Sequence, residues 1–359
     1  MPFSNQLTEL LGIDLPIIQA PMAGASGTDM AIAVSEAGGL GSLPCGMLTA
    51  DTARAQLGVV RQQTNKPINM NFLCHSPAEP DLQREQSWRL LLDSYYEELS
   101  LDSDTPIPAA NRAPFDAAMC EVVEEFQPEV VSFHFGLPKQ SLLDRVRATG
   151  AIILSSATTV AEAVWLADHG CHAIIAQGYE AGGHRGNFLS DAITTQSGTL
   201  ALVPQVVDAV SVPVIATGGI SDGRGVTAAF ALGASAVQVG TAYLFTPEAL
   251  ITDLHRQALS TTSDDDTALT NIFSGRPARG IVNRIMRDIG PMSAQAPAFP
   301  TAGGALAPLK AAAEAKGSSD FSSLWSGQAA GLSREMSAAE LTQTLCQDAE
   351  QLLRALNLD

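Results

Sequence analysis

The sequence predicts an α/β protein, a closed (β/α)8 TIM barrel with a second, smaller, mostly helical domain. Short apolar runs typical of β-strands alternate about eight times with longer segments of helical periodicity. The strand runs are apolar at successive positions, as expected of parallel strands covered on both faces. The chain has 359 residues. Because a typical barrel needs roughly 250 residues, this length leaves room for a second domain.

The predicted barrel elements follow one another regularly along the chain. Strands are expected at residues 15–20, 39–43, 67–73, 130–135, 151–155, 173–176, 213–216 and 236–239. Helices are expected between most of them, for example at residues 51–63, 141–149, 159–169 and 223–232. No G-x-G-x-x-G motif follows the first strand, so a doubly wound open sheet fits this order less well.

Two segments interrupt the alternation and predict the second domain. Residues 75–128 form an insertion rich in Glu, Asp and Pro, with helical stretches at 80–101 and 112–126. After about residue 247 the strand pattern fades, and helices are expected at 281–288, 305–315 and 338–356. We therefore predict a barrel of residues 1–74 and 129–258. A helical domain of residues 75–128 and 259–359 should lie over the barrel mouth as a substrate lid.

The charge balance argues against several classes of partner. Twenty Lys and Arg oppose 38 Asp and Glu, a net charge of −18. Such a field repels nucleic acid and anionic membrane surfaces, so an anionic small ligand needs a local positive site. The sequence has no apolar run long enough for a membrane span and no signal-peptide pattern at its N-terminus. We therefore predict a cytoplasmic protein.

Cysteine usage predicts neither a disulfide framework nor a metal site. Five cysteines lie at wide spacings with no C-x-x-C pair: Cys45, Cys74, Cys120, Cys171 and Cys346. Reduced thiols and no bound metal are therefore expected.

Glycine-rich segments follow several predicted strands, on the side where barrel enzymes place their active sites. The first strand ends in QAPMAG and the sixth runs into QGYEAGGHRG, while the seventh and eighth end in ATGGI and QVGT. Loops after the last two strands are the usual phosphate site of such barrels. The alternative is that these glycines only form the turns that close the barrel.

Three polar side chains are candidates for chemistry. His184 follows the paired glycines Gly182 and Gly183 on a loop, so we predict a catalytic role for it. His134 ends the fourth strand between two phenylalanines, which fits substrate contact or a packed core histidine equally well. Asn71 near the end of the third strand offers a donor and an acceptor to a heterocycle, or closes a turn.

Taken together, these motifs resemble the nitronate monooxygenase family, formerly called 2-nitropropane dioxygenases, and in particular its bacterial FMN-dependent members. The resemblance rests on QAPMAG, QGYEAGGHRG, GGISDGRG with the following ALGASAVQVGTAYL, and the C-terminal AAAEAKGSSDFSSLWSGQAA, all in the same order. It implies a (β/α)8 barrel that holds non-covalent FMN, with the smaller domain closing over the flavin ring. It also implies a small nitronate and O2 as reaction partners, in a monomer or homodimer.

The resemblance assigns flavin contacts by position. Pro21, Met22 and Ala23 would line one side of the ring, Asn71 and Gln177 would contact its edge, and Gly182 and Gly183 would pass beside it. Gln238 would contact the ribityl or phosphate region. The phosphate itself would be bound by Gly218, Gly219, Gly240 and Thr241.

The implied reaction is oxidation of an alkyl nitronate by O2 to a carbonyl compound and nitrite. The flavin supplies the redox chemistry and the protein supplies orientation and electrostatics. His184 matches the family histidine beside the flavin. A neutral His184 could take an α-proton from a nitroalkane, whereas a protonated one would balance the charge of the nitronate.

One stretch departs from the family pattern. Residues 298–307 lack the tyrosines and the lysine of similar members, and Phe299 is the predicted substrate-binding ring there, without a hydroxyl. Tyr95, Tyr96 or Lys310 could compensate. Two alternatives stay open: an FMN-dependent NAD(P)H-using reductase, resembling enoyl-acyl-carrier-protein or quinone reductases, and a non-catalytic FMN-binding barrel.

Overall fold

A parallel eight-stranded barrel dominates the computed structural model, which describes residues 4–102, 105–108 and 112–356. These residues contain eleven strands: β1 (Ile17–Gln19), β2 (Gly41–Pro44), β3 (Ile68–Leu73), β4 (Val130–His134), β5 (Ile152–Ala157), β6 (Ala173–Gln177), β7 (Gly183–His184), β8 (Val214–Thr217), β9 (Ala236–Val239), β10 (Thr267–Thr270) and β11 (Ala278–Ile281). The barrel order is β1-β9-β8-β6-β5-β4-β3-β2, with every pair parallel. The predicted fold class and all eight predicted barrel strands are confirmed.

Closure of the barrel occurs between β1 and the residue before β2. Leu40 forms a parallel bridge with Ile18. The Leu40 amide donates to the Ile17 carbonyl at 2.9 Å, and the Gln19 amide donates to the Leu40 carbonyl at 3.0 Å. These bonds satisfy the exposed edges of both strands. The carboxyl ends of all eight strands therefore surround one rim.

Helices cover the outside of the barrel and build the second domain. They are α1 (Gln6–Leu11), α2 (Thr28–Glu36), α3 (Ala50–Gln63), α4 (Leu82–Glu98), α5 (Ala117–Phe126), α6 (Gln140–Ala148), α7 (Val160–Asp168), α8 (Thr199–Ala209), α9 (Gly223–Ala231), α10 (Asp253–Thr261), α11 (Arg284–Ile289), α12 (Ala307–Glu314) and α13 (Ala338–Ala355). Side-chain caps mark several starts. The Asp222 carboxylate accepts from the amides of Arg224 and Gly225 at the start of α9.

A second, antiparallel sheet of three short strands lies beside the barrel. Strands β10 and β11 pair with each other, and β11 also pairs with β7. In that second pair Ala278 lies opposite His184. The sequence predicts no strand after about residue 247, and that prediction is wrong for β10 and β11. Their sequences, TALT and ARGI, carry no apolar alternation that would predict a strand. Arg279 is nevertheless buried, because its guanidinium contacts Tyr179 from another segment.

The insertion packs on the segment after β11, in one apolar cluster. Trp88 and Tyr96 of α4 are buried there with Leu309 of α12. The Trp88 indole donates to the Ala302 carbonyl at 3.0 Å, and the Tyr96 hydroxyl donates to the Ala305 carbonyl at 2.7 Å. These bonds join the two segments that we predict to form the second domain.

Helix α13 lies against the barrel rather than against this cluster. It packs on α9 and α2, and it buries Leu345 and Ala349. The Tyr243 hydroxyl shares a 2.8 Å hydrogen bond with the Thr342 hydroxyl. The domain boundary at residue 258 remains a prediction, and this packing adds α13 to the outer layer of the barrel. Within the described residues, no helix has both the length and the apolarity needed to cross a bilayer.

Candidate active site

A cavity of about 440 Å3 opens at the carboxyl ends of the barrel strands, within the range of roughly 300–1,000 Å3 seen for cofactor and small-molecule sites. All fifteen residues predicted for the site line it. They are Pro21, Met22, Ala23, Asn71, His134, Gln177, Gly182, Gly183, His184, Gly218, Gly219, Gln238, Gly240, Thr241 and Phe299. Their individual roles remain predictions. Their convergence follows from parallel strands that all end at one rim.

The backbone of His184 is held by hydrogen bonds from two sides. As part of β7 it pairs with Ala278 of β11. Its carbonyl also accepts from the Gln177 side-chain amide at 3.0 Å, while the Gly186 amide donates to the other end of that side chain at 2.8 Å. The Gln177 side chain therefore holds the loop that carries His184 in place. One N–H and one lone pair of its amide remain free to bind the edge of a flavin.

The His184 ring is oriented by a serine that the sequence did not indicate. Nε2 lies 2.9 Å from Oγ of Ser274. The Ser274 hydroxyl has one proton and also lies 3.2 Å from the Arg276 carbonyl, to which it can donate. When the proton is donated to that carbonyl, the shared bond with His184 places the ring proton on Nε2 and leaves Nδ1 as the basic nitrogen.

Burial keeps the histidines of the cavity uncharged. Desolvation lowers the pKa of His184 well below its usual value, and the charge of Arg112 lowers it further. Burial also lowers the pKa of His134 to about 3 and that of His255 to about 4. At neutral pH these rings are therefore neutral. A neutral His184 can accept a proton but cannot balance a substrate charge.

His134 both lines the cavity and packs into its wall. Its Nδ1 lies 2.6 Å from the Ser156 hydroxyl, and its ring lies 4.4 Å from that of Phe135. A Cβ at Gly186 would lie 2.8 Å from its Cε1, so the loop after β6 passes close against it. The ring is thus fixed in place, and substrate contact remains a prediction.

Aromatic rings surround the His184 imidazole. The rings of Phe299 and Trp325 lie 5.5 Å from it, and that of Phe135 lies 6.1 Å away. These rings form an apolar wall on the sides of the imidazole. Phe135 and Trp325 are not among the residues predicted for the site. Trp325 lies inside the SSLWSG part of the quoted C-terminal motif, which could have indicated it.

Backbone geometry explains two of the predicted glycines, one by close approach and one by its φ angle. A Cβ at Gly182 would lie 2.5 Å from the amide nitrogen of Gly327, so this position admits no side chain without movement. Gly219 has a φ of 70°, in the left-handed region that favours glycine. Both residues follow barrel strands, where free amide groups can approach a phosphate.

Polar groups of the cavity fit the FMN that the sequence motifs imply. The buried Oε1 of Gln238 has no hydrogen-bond partner among the described residues, so it can accept from a ribityl hydroxyl. Asn71 directs its amide nitrogen to the Ser132 hydroxyl at 2.9 Å, leaving its oxygen for a ring N–H. The Thr241 hydroxyl accepts from the Gly327 amide at 2.9 Å and keeps its own proton for a phosphate oxygen. The donor set therefore fits the group.

Arg185 anchors the loop between β6 and β7, and removing it should destabilise the protein. The side chain is fully buried and donates to the carbonyls of Gly178 and Gln177 at 2.6 and 2.9 Å, and to the Gln196 amide oxygen at 2.8 Å. Arg185→Met should lower the free energy of unfolding in urea by about 3–5 kcal/mol, because two buried backbone carbonyls and the half-buried Gln196 oxygen lose their partner.

The exposed Arg354→Met is the matched control for that measurement. Its free energy of unfolding should stay within about 0.5 kcal/mol of the parent. Equal values for both variants would contradict the anchoring role of Arg185.

Acid should destabilise the protein through its neutral histidines. The folded-state pKa of His134 (about 3) and of His255 (about 4) lie below the unfolded value near 6.5. The unfolded chain then binds more protons, so stability is full above pH 6.5 and falls as the pH drops toward 4. The loss is at most about 1.4 kcal/mol per pH unit for each histidine. Urea unfolding at pH 7.5, 6 and 5 measures this slope.

His255→Gln should make the pH slope shallower, since one buried histidine is removed. His169→Gln, at an exposed ring, is the matched control and should keep the parent's slope. A slope unchanged in His255→Gln would be evidence against this source of acid sensitivity.

Comparisons with known proteins agree with this arrangement. A family model described as nitronate monooxygenase matches residues 4–348. A nitronate monooxygenase of Pseudomonas aeruginosa is 42% identical over 349 residues, which cover 96% of this chain and 99% of that protein. A crystal structure of nitroalkane oxidase from Streptomyces ansochromogenes is 37% identical, with a TM-score of 0.88, and covers 98% of this chain and 100% of that one.

FabK from Thermotoga maritima is a more distant structural relative. It is 27% identical with a TM-score of 0.74, and the match covers 99% of this chain and 98% of that one. The full-length agreement in sequence is thus higher with nitronate monooxygenases. On the family match and the 42% identity, this chain belongs to the nitronate monooxygenase family.

Proposed function

We propose that this protein oxidises alkyl nitronates with O2, using FMN bound in the cavity at the barrel rim, to give a carbonyl compound and nitrite. Family membership supports the reaction class. The observation that carries the site is the convergence of His184, Gln238 and the glycines of three strand-end loops on one cavity. When bound, FMN supplies electron acceptance from the nitronate and the reaction with O2.

The protein holds the cofactor through the polar atoms described above. Gly218, Gly219 and Gly240 present backbone groups to the phosphate, together with the Thr241 hydroxyl. The Gln238 oxygen accepts from the ribityl chain, and Asn71 binds the ring edge. With a net charge of −18, the chain depends on these local dipoles to bind a phosphate.

His184 acts as the base toward neutral nitroalkanes. With the Ser274 proton donated to the Arg276 carbonyl, Nε2 carries the ring proton and Nδ1 carries the free lone pair. The buried ring is neutral before the reaction, and the proton it accepts is paired with the nitronate that forms beside it. A preformed nitronate has already lost this proton, so it reacts without the base.

Oxygen consumption and nitrite release with ethyl nitronate test the proposal. FMN-loaded protein should consume O2 and release nitrite from ethyl nitronate, and it should leave NADH unoxidised over the same period. A protein that binds FMN but turns over neither compound would be a non-catalytic flavin-binding barrel, and the proposal would be wrong.

A reductase is the second candidate function, favoured by the structural likeness to FabK. It predicts NADH oxidation by the loaded protein, with an enoyl thioester or a quinone as acceptor. The same assay separates the two, because only the reductase bleaches the flavin with NADH under anaerobic conditions.

A further inference from the structure

The charged side chains that line the cavity leave one cation without a counter-charge. Among the described lining residues, the basic side chains other than histidine are Arg112 and Lys310, and the acidic one is Glu314. The Lys310 ammonium lies 3.9 Å from the Glu314 carboxylate, one turn along α12. This pair offsets its own charge. Among the described lining side chains, Arg112 is therefore the cation without a carboxylate beside it.

The Arg112 guanidinium has no partner among the described residues. The hydrogen bonds and ion pairs found there do not include it, although most arginines of the chain contact a carboxylate or a carbonyl. Burial alone lowers the pKa of Arg112, with no carboxylate acting in the opposite direction. A half-buried charge without a counter-charge is unfavourable, so this position is suited to an anion.

The fold holds Arg112 at the cavity through a nearby anchor. Phe115 donates its amide to the Leu73 carbonyl at 2.7 Å, at the end of β3. Its ring packs 4.6 Å from that of Phe72 and 5.4 Å from that of Phe133, in the barrel core. The insertion is thereby tied to the rim three residues after Arg112. Arg112 lines the cavity from this anchored segment.

The histidines of the cavity cannot take over the role of a cation. His134, His184 and His255 are all neutral at neutral pH, since burial disfavours their charged forms. A nitronate is an anion whose two oxygens share the charge in one plane. A guanidinium can donate two parallel N–H bonds to such a pair of oxygens.

We propose that Arg112 binds the anionic O–N–O group of the substrate and thereby selects ionised nitronates over neutral nitroalkanes. The identity of the substrate rests on the proposed function, whereas the anion site rests on the cavity itself. In this role Arg112 is a specificity-determining residue that contacts the substrate, while His184 handles the proton.

Titration calorimetry with sodium nitrate tests the anion site without turnover. Nitrate is a planar anion with the same O–N–O group, and it has no carbon to oxidise. The FMN-loaded protein should bind it at constant ionic strength and pH 7.5. Arg112→Met should weaken this binding about 10- to 100-fold, as expected for the loss of a charge-assisted hydrogen-bonded pair. The KM for ethyl nitronate should rise by a similar factor.

Two further variants keep the test decisive. Arg112→Lys should restore part of the affinity, since it keeps the charge but not the paired geometry. Arg89→Met removes another half-buried arginine of the insertion, one whose guanidinium donates to the Thr105 carbonyl, and it should leave nitrate binding unchanged. Unaltered binding in Arg112→Met, or equal weakening in Arg89→Met, would overturn the proposal. If Arg112→Met does not fold, Arg112→Lys alone is informative. Nitrate binding by Arg112→Lys as tight as that of the parent would then overturn the proposal.

The two proposals can fail separately. Nitrate binding that depends on Arg112 in a protein inactive on nitronates would retain the anion site and reject the reaction. Nitronate turnover with the same KM in Arg112→Met would retain the reaction and reject the role of Arg112.

Discussion

His184→Asn should reduce nitrite release from nitroethane by about 10²- to 10⁴-fold, the usual contribution of a general base. Turnover of preformed ethyl nitronate should fall by less than about tenfold, because that substrate needs no deprotonation. Asparagine keeps a polar side chain toward the Ser274 hydroxyl, which lies 2.9 Å from the parent Nε2, but it has no basic nitrogen. The ratio of the two rates, measured on the same FMN-loaded preparation, is therefore the informative quantity.

The control for this variant is flavin content together with an exposed histidine. FMN bound per chain should equal the parent's, and His169→Asn, at an exposed ring, should change neither rate. Equal losses on nitroethane and ethyl nitronate would remove the base assignment and leave His184 as a residue that positions both substrates.

Gly219→Asp should abolish retention of FMN, with at least a tenfold drop in bound flavin per chain. The residue has a φ of 70°, and a Cβ there would lie 3.3 Å from Cβ of Glu180. Aspartate adds strain, contact and a negative charge at the amide cluster that we propose binds the phosphate. Absorbance of the purified protein near the flavin bands, relative to that at 280 nm, measures the loss.

Two matched variants separate charge from backbone strain. Gly219→Ala carries the same Cβ without the carboxylate, so it should retain more flavin than Gly219→Asp. Gly150→Asp places a carboxylate at another left-handed glycine, with a φ of 85° and open space around its Cβ, outside the cavity lining. It should retain the full flavin content. Parent-like flavin in Gly219→Asp would contradict the proposed phosphate site.

The two predictions depend on different levels of structure. The Gly219 prediction follows from its place after a barrel strand, which is visible in the sequence. The base role of His184 is also implied by its motif, whereas the contact of its Nε2 with Ser274, ninety positions away along the chain, is visible only in the structure.

The barrel could be predicted because its signal is local. Each strand and helix has its own apolar pattern, as in β3 and α3, and eight such units in a row admit few topologies. Strands β10 and β11 escaped prediction because their burial comes from other segments. Arg279 of β11 is buried against Tyr179, a contact that no periodicity in residues 278–281 records.

The cavity could be predicted for the same reason as the barrel. Residues that directly follow parallel strands, such as Gly218 and Gly240, must lie at one rim of the barrel, whatever conformation the loops adopt. Ser274 and Arg112 lie in segments with no strand pattern and no motif. Their arrival at the cavity depends on anchors such as the pairing of β11 with β7 and the packing of Phe115.

The sequence by itself determined the architecture, the rim that carries the site and the family. These follow from periodicity and from short motifs, both of which are properties of neighbouring residues. The tertiary structure alone decided the burial that lowers the pKa of the histidines, the contact between His184 and Ser274, and the position of Arg112 at the cavity without a partner among the described residues. A pKa or a hydrogen-bond partner depends on every group within a few ångströms, and around His184 those groups come from β4, β7, the insertion and the segments near residues 274, 299 and 325.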